Sequence, residues 1–197
     1  MTNPGAGGSI QRMDKTERRV LPHGVVWRQL TTHADHRGDL TELFRVEWNE
    51  GPAPVQWNFV RSDANVLRGV HAHPRHDDYL IVLHHRMVLG LKDLRRDSPT
   101  HDLETMVELE GERLSAIFIP HGVAHGFYLP SEALYVYAVN HYWDHVDELR
   151  CRWDDPGLGL TWPAESPVLS EADTTAGTLS EMRRDLEAGM RAAPRVR

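Results

Sequence analysis

Short apolar segments alternate with turn signals along most of the chain, and this pattern predicts an all-β protein. The predicted strands are rich in Val, Leu, Phe, Trp and Tyr. They are VVWRQLT, DLTELFRV, PVQWNFVRS, DYLIVL, RMVLGLKDL, LETMVEL, RLSAIFI, GFYLP and ALYVYAVNHY. Breaks are predicted at DHRGD, NEGPAP, DANVLRG, LRRDSPT, ELEGER, PHGVAHG and PSEA. Because the strands recur at even spacing without helical periods between them, we expect an antiparallel barrel or sandwich.

The ends of the chain differ in texture from this β-rich region. Residues 1–19 mix Gly, Pro and charges, which is typical of a flexible N-terminal arm. We expect one β domain over residues 20–175, whose irregular part after residue 150 keeps Leu, Trp and Val and should pack back on the strands. In residues 176–197, Leu179, Met182, Leu186 and Met190 follow a helical spacing and predict a C-terminal amphipathic helix and tail.

Composition and charge narrow the classes of partner and location. The net charge of −7 argues against nucleic acid, because a phosphate backbone selects basic surfaces. No apolar run approaches the roughly 20 residues of a membrane-spanning helix, and no apolar signal region is seen at the N-terminus. Cys151 is the single cysteine, so no intrachain disulfide forms. Together these observations predict a cytoplasmic protein without nucleic-acid or membrane partners.

Two histidine-containing motifs, GVHAH and PHGVAHGF, stand about fifty residues apart. A barrel of about eight strands has room inside for one small ligand. Histidines at the mouths of neighbouring strands would face that cavity together. The residues by themselves leave two hypotheses open: a histidine that moves a proton on carbon, or a metal site that begins at HAH.

An ordered set of motifs resembles a known family. PHGVAHGF resembles the second cupin motif. The set LRGVH, DLRRDSPT, IPHGVAHGF, LYVY, RWDDPGLGLTWP and PVLSEAD is similar to the dTDP-4-dehydrorhamnose 3,5-epimerase family, from about HADHRGD to LSEAD. The resemblance implies a cupin/jelly-roll barrel with short C-terminal helical segments, a homodimer and no cofactor. It also implies a nucleotide-diphospho-4-keto-6-deoxy sugar as substrate, with dTDP as the expected nucleotide.

The resemblance also implies the catalytic residues. His71 in LRGVH corresponds to the family's general base, and Asp173 in LSEAD corresponds to the carboxylate that orients it. Tyr135 in LYVY corresponds to the tyrosine that returns a proton from the opposite face, and Tyr137 is a second candidate. The expected reaction is proton abstraction beside the ketone at C3, C5 or both.

Residues that hold the substrate are implied in the same way. Arg68 matches the LRG arginine, and a guanidinium suits phosphate oxygens. Arg37 and Glu42 match positions at the nucleotide end that are often contributed across a dimer. The remaining expected substrate-binding residues are Gln56, Asn58, His125 and Tyr142.

One departure from the family keeps other functions open. The family usually carries a lysine where this chain has Asp78, so either Arg68 or a protonated His73 or His76 supplies the cation, or the substrate differs. Epimerisation at one carbon only is a further alternative. The alternative is a metal-dependent cupin, an oxygenase or isomerase, with ligands from His71, His73, Asp77 or Asp78, and His125. A catalytically inactive nucleotide-sugar binding protein is the third hypothesis.

Overall fold

The computed structural model describes residues 11–12, 20–48 and 50–192. Its strands are β1 (Gln11–Arg12), β2 (Val26–Gln29), β3 (Thr32–Asp35), β4 (Gly38–Thr41), β5 (Gln56–Ser62), β6 (Val66–Ala72), β7 (Asp78–His84), β8 (Arg86–Asp93), β9 (Glu104–Glu110), β10 (Ser115–Ile119), β11 (Val123–Leu129), β12 (Ala133–Val139) and β13 (Leu149–Arg150). The helices are α1 (Glu171–Thr174) and α2 (Leu179–Ala192), with short 3-10 turns at Val46–Trp48, Gly111–Arg113 and Pro156–Leu158.

Two facing sheets form the body of the protein and confirm the predicted all-β architecture. The first has the order β1-β9-β8-β11-β6-β13, and the second has the order β2-β10-β7-β12-β5. Their pairings are antiparallel except for β1, which runs parallel to β9. Strands β3 and β4 form a separate hairpin.

Side-chain alternation explains why the two sheets close on each other. On β7, Leu80 and Val82 join the cluster between the sheets, whereas Tyr79 and Ile81 join a second cluster on the outer face. Successive side chains of a strand point to opposite faces, so a strand that is apolar at every position is covered on both sides. The cavity described below lies in this interior, and Leu80 is one of the residues that line it.

The C-terminal segments cover the outer face of the first sheet. Leu158 and Trp162 of the irregular tail share a buried cluster with Leu67 of β6 and with Met182 and Leu186 of α2. The predictions that the tail packs back on the barrel and that the last segment is an amphipathic helix are therefore confirmed.

Three assignments from the sequence are wrong. One is the predicted break PHGVAHG, which contains the first four residues of β11 (Val123–Leu129). DLTELFRV is extended only up to Thr41, and Leu43 and Phe44 pack outside any strand against the outer cluster of the second sheet. DANVLRG was expected to be a break, but Val66–Ala72 is a strand. The turn ends at Asn65, whose φ is 59°. Gly69, the glycine of the predicted break, lies inside the strand.

The predicted flexible arm lies mostly outside the described residues. Only Gln11 and Arg12 of that segment are described, as β1. None of the helices in the described part of the chain combines the length and the apolar character that a membrane crossing requires.

Candidate functional site

A bulge in β6 brings Arg68 and His71 to the same side of the sheet. Residues three apart on a regular strand face opposite sides. Here the pairing with β11 runs from His71 opposite His125 to Arg68 opposite Phe127, so β6 holds one extra residue. Gly69 lies at this bulge with φ of 114°, and a Cβ there would come within 2.8 Å of the Gly126 Cα. The glycine of the LRG motif is thus required by the close approach of β6 and β11.

His71 is hydrogen-bonded to Asp173, the carboxylate that the family resemblance paired with it. Its Nε2 lies 2.8 Å from Asp173 Oδ1, across 102 residues of chain. Ser170 caps α1, and its hydroxyl donates to Asp173 Oδ2 at 2.8 Å. Burial acts to raise the pKa of Asp173, but the hydrogen bonds with His71 and Ser170 outweigh it and leave that pKa lowered. With a proton on Nε2 donated to this carboxylate, Nδ1 of His71 keeps its lone pair.

The dyad faces a cavity of about 230 Å³ between the two sheets. Tyr135, on β12 of the opposite sheet, lines the same cavity and stacks edge-on against Phe127 at 5.5 Å between ring centroids. Burial raises the pKa of Tyr135 to about 12, against the opposing effect of Arg68. Tyr137, two residues along β12, also lines the cavity. The site therefore holds a carboxylate-oriented imidazole on one sheet and protonated phenols on the other.

Two arginines give the cavity a cationic side. Arg68 and Arg150 both line it, and the Nε atom of each is buried without a hydrogen-bond partner among the described residues. Arg150 also donates to Glu148 Oε1 at 2.6 Å and lies 3.8 Å from Asp173. A buried donor without an acceptor destabilises the protein unless a ligand or a water molecule provides the acceptor. This end of the cavity is suited to an anion.

Histidines and Asp78 line another part of the cavity. Nε2 of His73, His76 and His125 lies 3.6, 3.8 and 3.6 Å from Asp78 Oδ2. Burial lowers the pKa of His73 to about 3, so it does not supply the protonated cation considered from the sequence. Burial also lowers the pKa of His125, to about 4. For His76, burial is outweighed by its hydrogen bond to Asp147 and by nearby carboxylates, and its pKa is raised.

The structure distinguishes between the two adjacent aspartates. Asp77 accepts hydrogen bonds from His121 and Asn140 and takes part in the loop framework. Asp78 lines the cavity, and burial raises its pKa. His71, part of the metal set considered from the sequence, is bound instead to Asp173.

The remaining expected substrate-binding residues lie at varied distances from the cavity. Gln56 and Asn58 are hydrogen-bonded to each other on β5, on the same side as the cavity-lining Val60. Arg37 is exposed between β3 and β4 and pairs with Asp35. Two others are exposed and away from the cavity lining of this single chain: Glu42 and Tyr142.

Three cavity residues were not predicted at all or were given only a minor role. Glu148 Oε1 lies 3.6 Å from His71 Nδ1, and Arg150 stands opposite His71 in the β13–β6 pairing. The two-residue strand β13 gives no periodic signal of its own. His76 was considered only as a possible cation, although the density of histidines in HAHPRH was visible.

Comparison with known proteins identifies the family that this chain resembles. The family described as dTDP-4-dehydrorhamnose 3,5-epimerase matches residues 21–181. The enzyme of that name from Shigella flexneri is 35% identical over 127 residues, which cover 60% of this chain and 68% of that protein.

Solved structures share the fold. The 3,5-epimerase RmlC from Legionella pneumophila, in complex with dTDP-4-keto-L-rhamnose, matches with a TM-score of 0.76 and 31% identity over 83% of this chain and 92% of that one. ChmJ, a 3'-monoepimerase from Streptomyces bikiniensis in complex with dTDP-quinovose, matches with a TM-score of 0.76 and 28% identity over 88% and 91% of the two chains. The predicted cupin/jelly-roll fold is confirmed.

Proposed function

Because the chain belongs to the dTDP-4-dehydrorhamnose 3,5-epimerase family, we propose that it epimerises a nucleotide-diphospho-4-keto-6-deoxy sugar. The ketone makes the hydrogens at C3 and C5 acidic, and inversion requires a base on one face and an acid on the other. We propose that the sugar is dTDP-linked, since the related structures hold dTDP sugars. The relatives include both 3,5- and 3-epimerases. For this chain we propose reaction at C3, C5 or both, which the experiment below distinguishes.

The hydrogen bond between His71 and Asp173 is the observation that carries this proposal. A buried carboxylate on Nε2 fixes the tautomer and stabilises the imidazolium that forms when Nδ1 takes a proton from carbon. Tyr135 would return a proton from the other side, because β12 and β6 belong to opposite sheets. Its raised pKa, about 12, keeps the phenol protonated at neutral pH.

Substrate binding is proposed to rely on the cationic side of the cavity. The unsatisfied Nε donors of Arg68 and Arg150 match the oxygens of a diphosphate. We assign Gln56 and Asn58 to contacts with the sugar or the base, and His125 to the part of the cavity wall beside Asp78. Three exposed residues would complete the part of the binding site that holds the nucleotide, and some of them would come from a partner subunit. They are Arg37, Glu42 and Tyr142.

Deuterium exchange tests the proposed function directly. The protein is incubated with dTDP-4-keto-6-deoxyglucose in D₂O, and the C3 and C5 proton signals are followed by NMR. Loss at both carbons supports a 3,5-epimerase, and loss at one carbon identifies a mono-epimerase. If neither signal is lost while the sugar still binds, the chain is a binding protein and the proposal is wrong.

We also propose a homodimer. Strand β5 is an edge of the second sheet, and its outer face carries Trp57 and Phe59, which are 46% and 60% exposed. Apolar side chains on an exposed edge are typical of a covered interface. Light scattering should give the mass of two chains, and Phe59→Asp should give one. An exposed polar change on the same strand, Arg61→Gln, is the control; a monomeric wild type would contradict the proposal.

A cytoplasmic location is proposed as well. Cys151 is a buried free thiol, as is common in a reducing compartment. Cell fractionation of a tagged chain tests this, and recovery with secreted or membrane fractions would contradict it.

A further inference from the structure

One group of cavity residues has no part in the proposed proton transfers. Two loop histidines between β6 and β7, one aspartate at the start of β7 and one histidine on β11 converge there. We call this group the histidine–aspartate cluster: His73, His76, Asp78 and His125. Ligand-capable atoms of the first three residues all lie within 4.8 Å of one another, and His125 Nε2 lies 3.6 Å from the same Asp78 oxygen. All four residues are buried.

Nδ1 of each imidazole already makes a hydrogen bond within the protein. Nδ1 of His73 lies 3.0 Å from the Asp147 carbonyl oxygen, and Nδ1 of His125 lies 3.2 Å from a backbone carbonyl oxygen. A carbonyl oxygen only accepts, so both rings carry their proton on Nδ1 and present an Nε2 lone pair to the cavity. His76 Nδ1 lies 2.7 Å from the Asp147 carboxylate, so the same residue orients two of the rings.

The inner atoms cannot satisfy one another. Distances of 3.6 to 3.8 Å from Asp78 Oδ2 to the three Nε2 atoms exceed those of hydrogen bonds. The Nε2 lone pairs of His73 and His125 converge with Nε2 of His76 near the Asp78 carboxylate, and this set of nitrogen and oxygen atoms is suited to a positive ion. Tetrahedral bonds of 2.0–2.1 Å would separate ligand atoms by about 3.4 Å, close to the 3.6–3.8 Å between Asp78 Oδ2 and each Nε2. His73, His76 and Asp78 are the three residues whose ligand atoms all lie within 4.8 Å of one another, and His125 would move toward them to join the same ion.

We propose that the histidine–aspartate cluster binds one divalent first-row transition-metal ion. Three imidazoles and one carboxylate are a donor set suited to Zn²⁺, Fe²⁺, Ni²⁺ or Co²⁺. A second set of hydrogen bonds, from Nδ1 to Asp147 and to the β11 backbone, orients the rings as in other histidine metal sites. The set differs from the one expected from the sequence, because His76 takes the place of His71.

The position of this ion has a consequence that rests on the proposed function. The cluster lines the same cavity as His71 and Tyr135. A bound cation there would act as a Lewis acid toward the ketone oxygen, where negative charge develops when the adjacent carbon loses its proton. It would supply positive charge that Asp78 itself does not.

Titration with Co²⁺ tests the site without reference to catalysis. The full chain is stripped of metal with EDTA, dialysed and titrated with Co²⁺ by calorimetry and visible absorption. We expect one equivalent to bind, with ligand-field bands of a four-coordinate ion. Asp78→Asn and His76→Gln should each weaken binding at least about 100-fold, and Asp147→Asn about 10- to 100-fold. His84→Gln, an exposed histidine on β7, is the control and should bind as the wild type does.

Several outcomes would overturn the site. Failure of the wild type to bind one equivalent would do so, as would equal binding by Asp78→Asn when circular dichroism shows both chains folded. Asp147→Asn keeps the four ligands, so a weakened but measurable affinity separates loss of a site from loss of the fold.

Deuterium exchange keeps the two proposals distinguishable. A chain that binds Co²⁺ but washes out no proton supports the metal site and contradicts the epimerase. A chain that exchanges protons but binds no Co²⁺ supports the epimerase and contradicts the metal site. Equal exchange rates for the stripped and the Co²⁺-loaded protein would overturn the Lewis-acid role.

Discussion

Replacing Asp173 with Asn should slow proton abstraction without unfolding the protein. The carboxylate is 5% exposed and lies 2.8 Å from His71 Nε2, so solvent screens the interaction little. A hydrogen bond to a charged group contributes about 1.5–3 kcal/mol. At about 1.36 kcal/mol for each factor of ten, removing the charge should lower the exchange rate about 10- to 150-fold. The asparagine keeps the size of the side chain and can still meet the Ser170 hydroxyl.

The assay is deuterium washout from the keto sugar at saturating substrate, so that kcat rather than KM reports the effect. Glu171→Gln is the matched control, because it removes a carboxylate from the same helix α1 at an exposed position. An Asp173→Asn rate within twofold of the wild type would refute the role of Asp173. An equal loss in Glu171→Gln would show that the effect is not local to the dyad.

Three further predictions concern the acid, the pH dependence of stability and the C-terminal helix. Tyr135→Phe should leave deuterium washout measurable while net inversion falls about 100-fold or more, because the enolate regains its proton from the base side; product NMR checks this, and normal inversion contradicts it. Burial acts to raise the pKa of Asp93, but hydrogen bonds from Arg95, Ser98 and Thr100 outweigh it and lower that pKa, so its stabilisation is present above about pH 4 and is lost as the pH falls through its folded pKa. Urea melts of Asp93→Asn and wild type should converge at low pH, and a constant gap would contradict this. Leu186→Ala should cost about 2–5 kcal/mol in urea unfolding, whereas exposed Arg184→Ala should leave the midpoint unchanged; equal effects would show that α2 is not packed as described.

Local patterns predicted much of the fold. Strands such as β7 and β8 are short, apolar and bounded by turn residues, and α2 repeats apolar side chains at helical spacing, so each element carries its own signal. The missed strand β6 shows the limit of this method. Its glycine reads as a breaker, yet Gly69 is needed for a bulge whose partner strand lies more than fifty residues away.

The candidate site, like the fold, was predictable from the sequence only in part. The resemblance of the ordered motifs to a known family identified His71, Asp173 and Tyr135 as candidates, because the residue types and order that carry the resemblance are visible along the chain. Their closeness is a tertiary fact: α1 reaches β6 across about a hundred residues, and β13 aligns Arg150 opposite His71. The sequence also displayed the histidines of HAHPRH but not which of their nitrogens were already in use. Only the fold decided that His71 binds Asp173 while His76 turns toward Asp78, because hydrogen bonds from distant segments set the orientation of each ring.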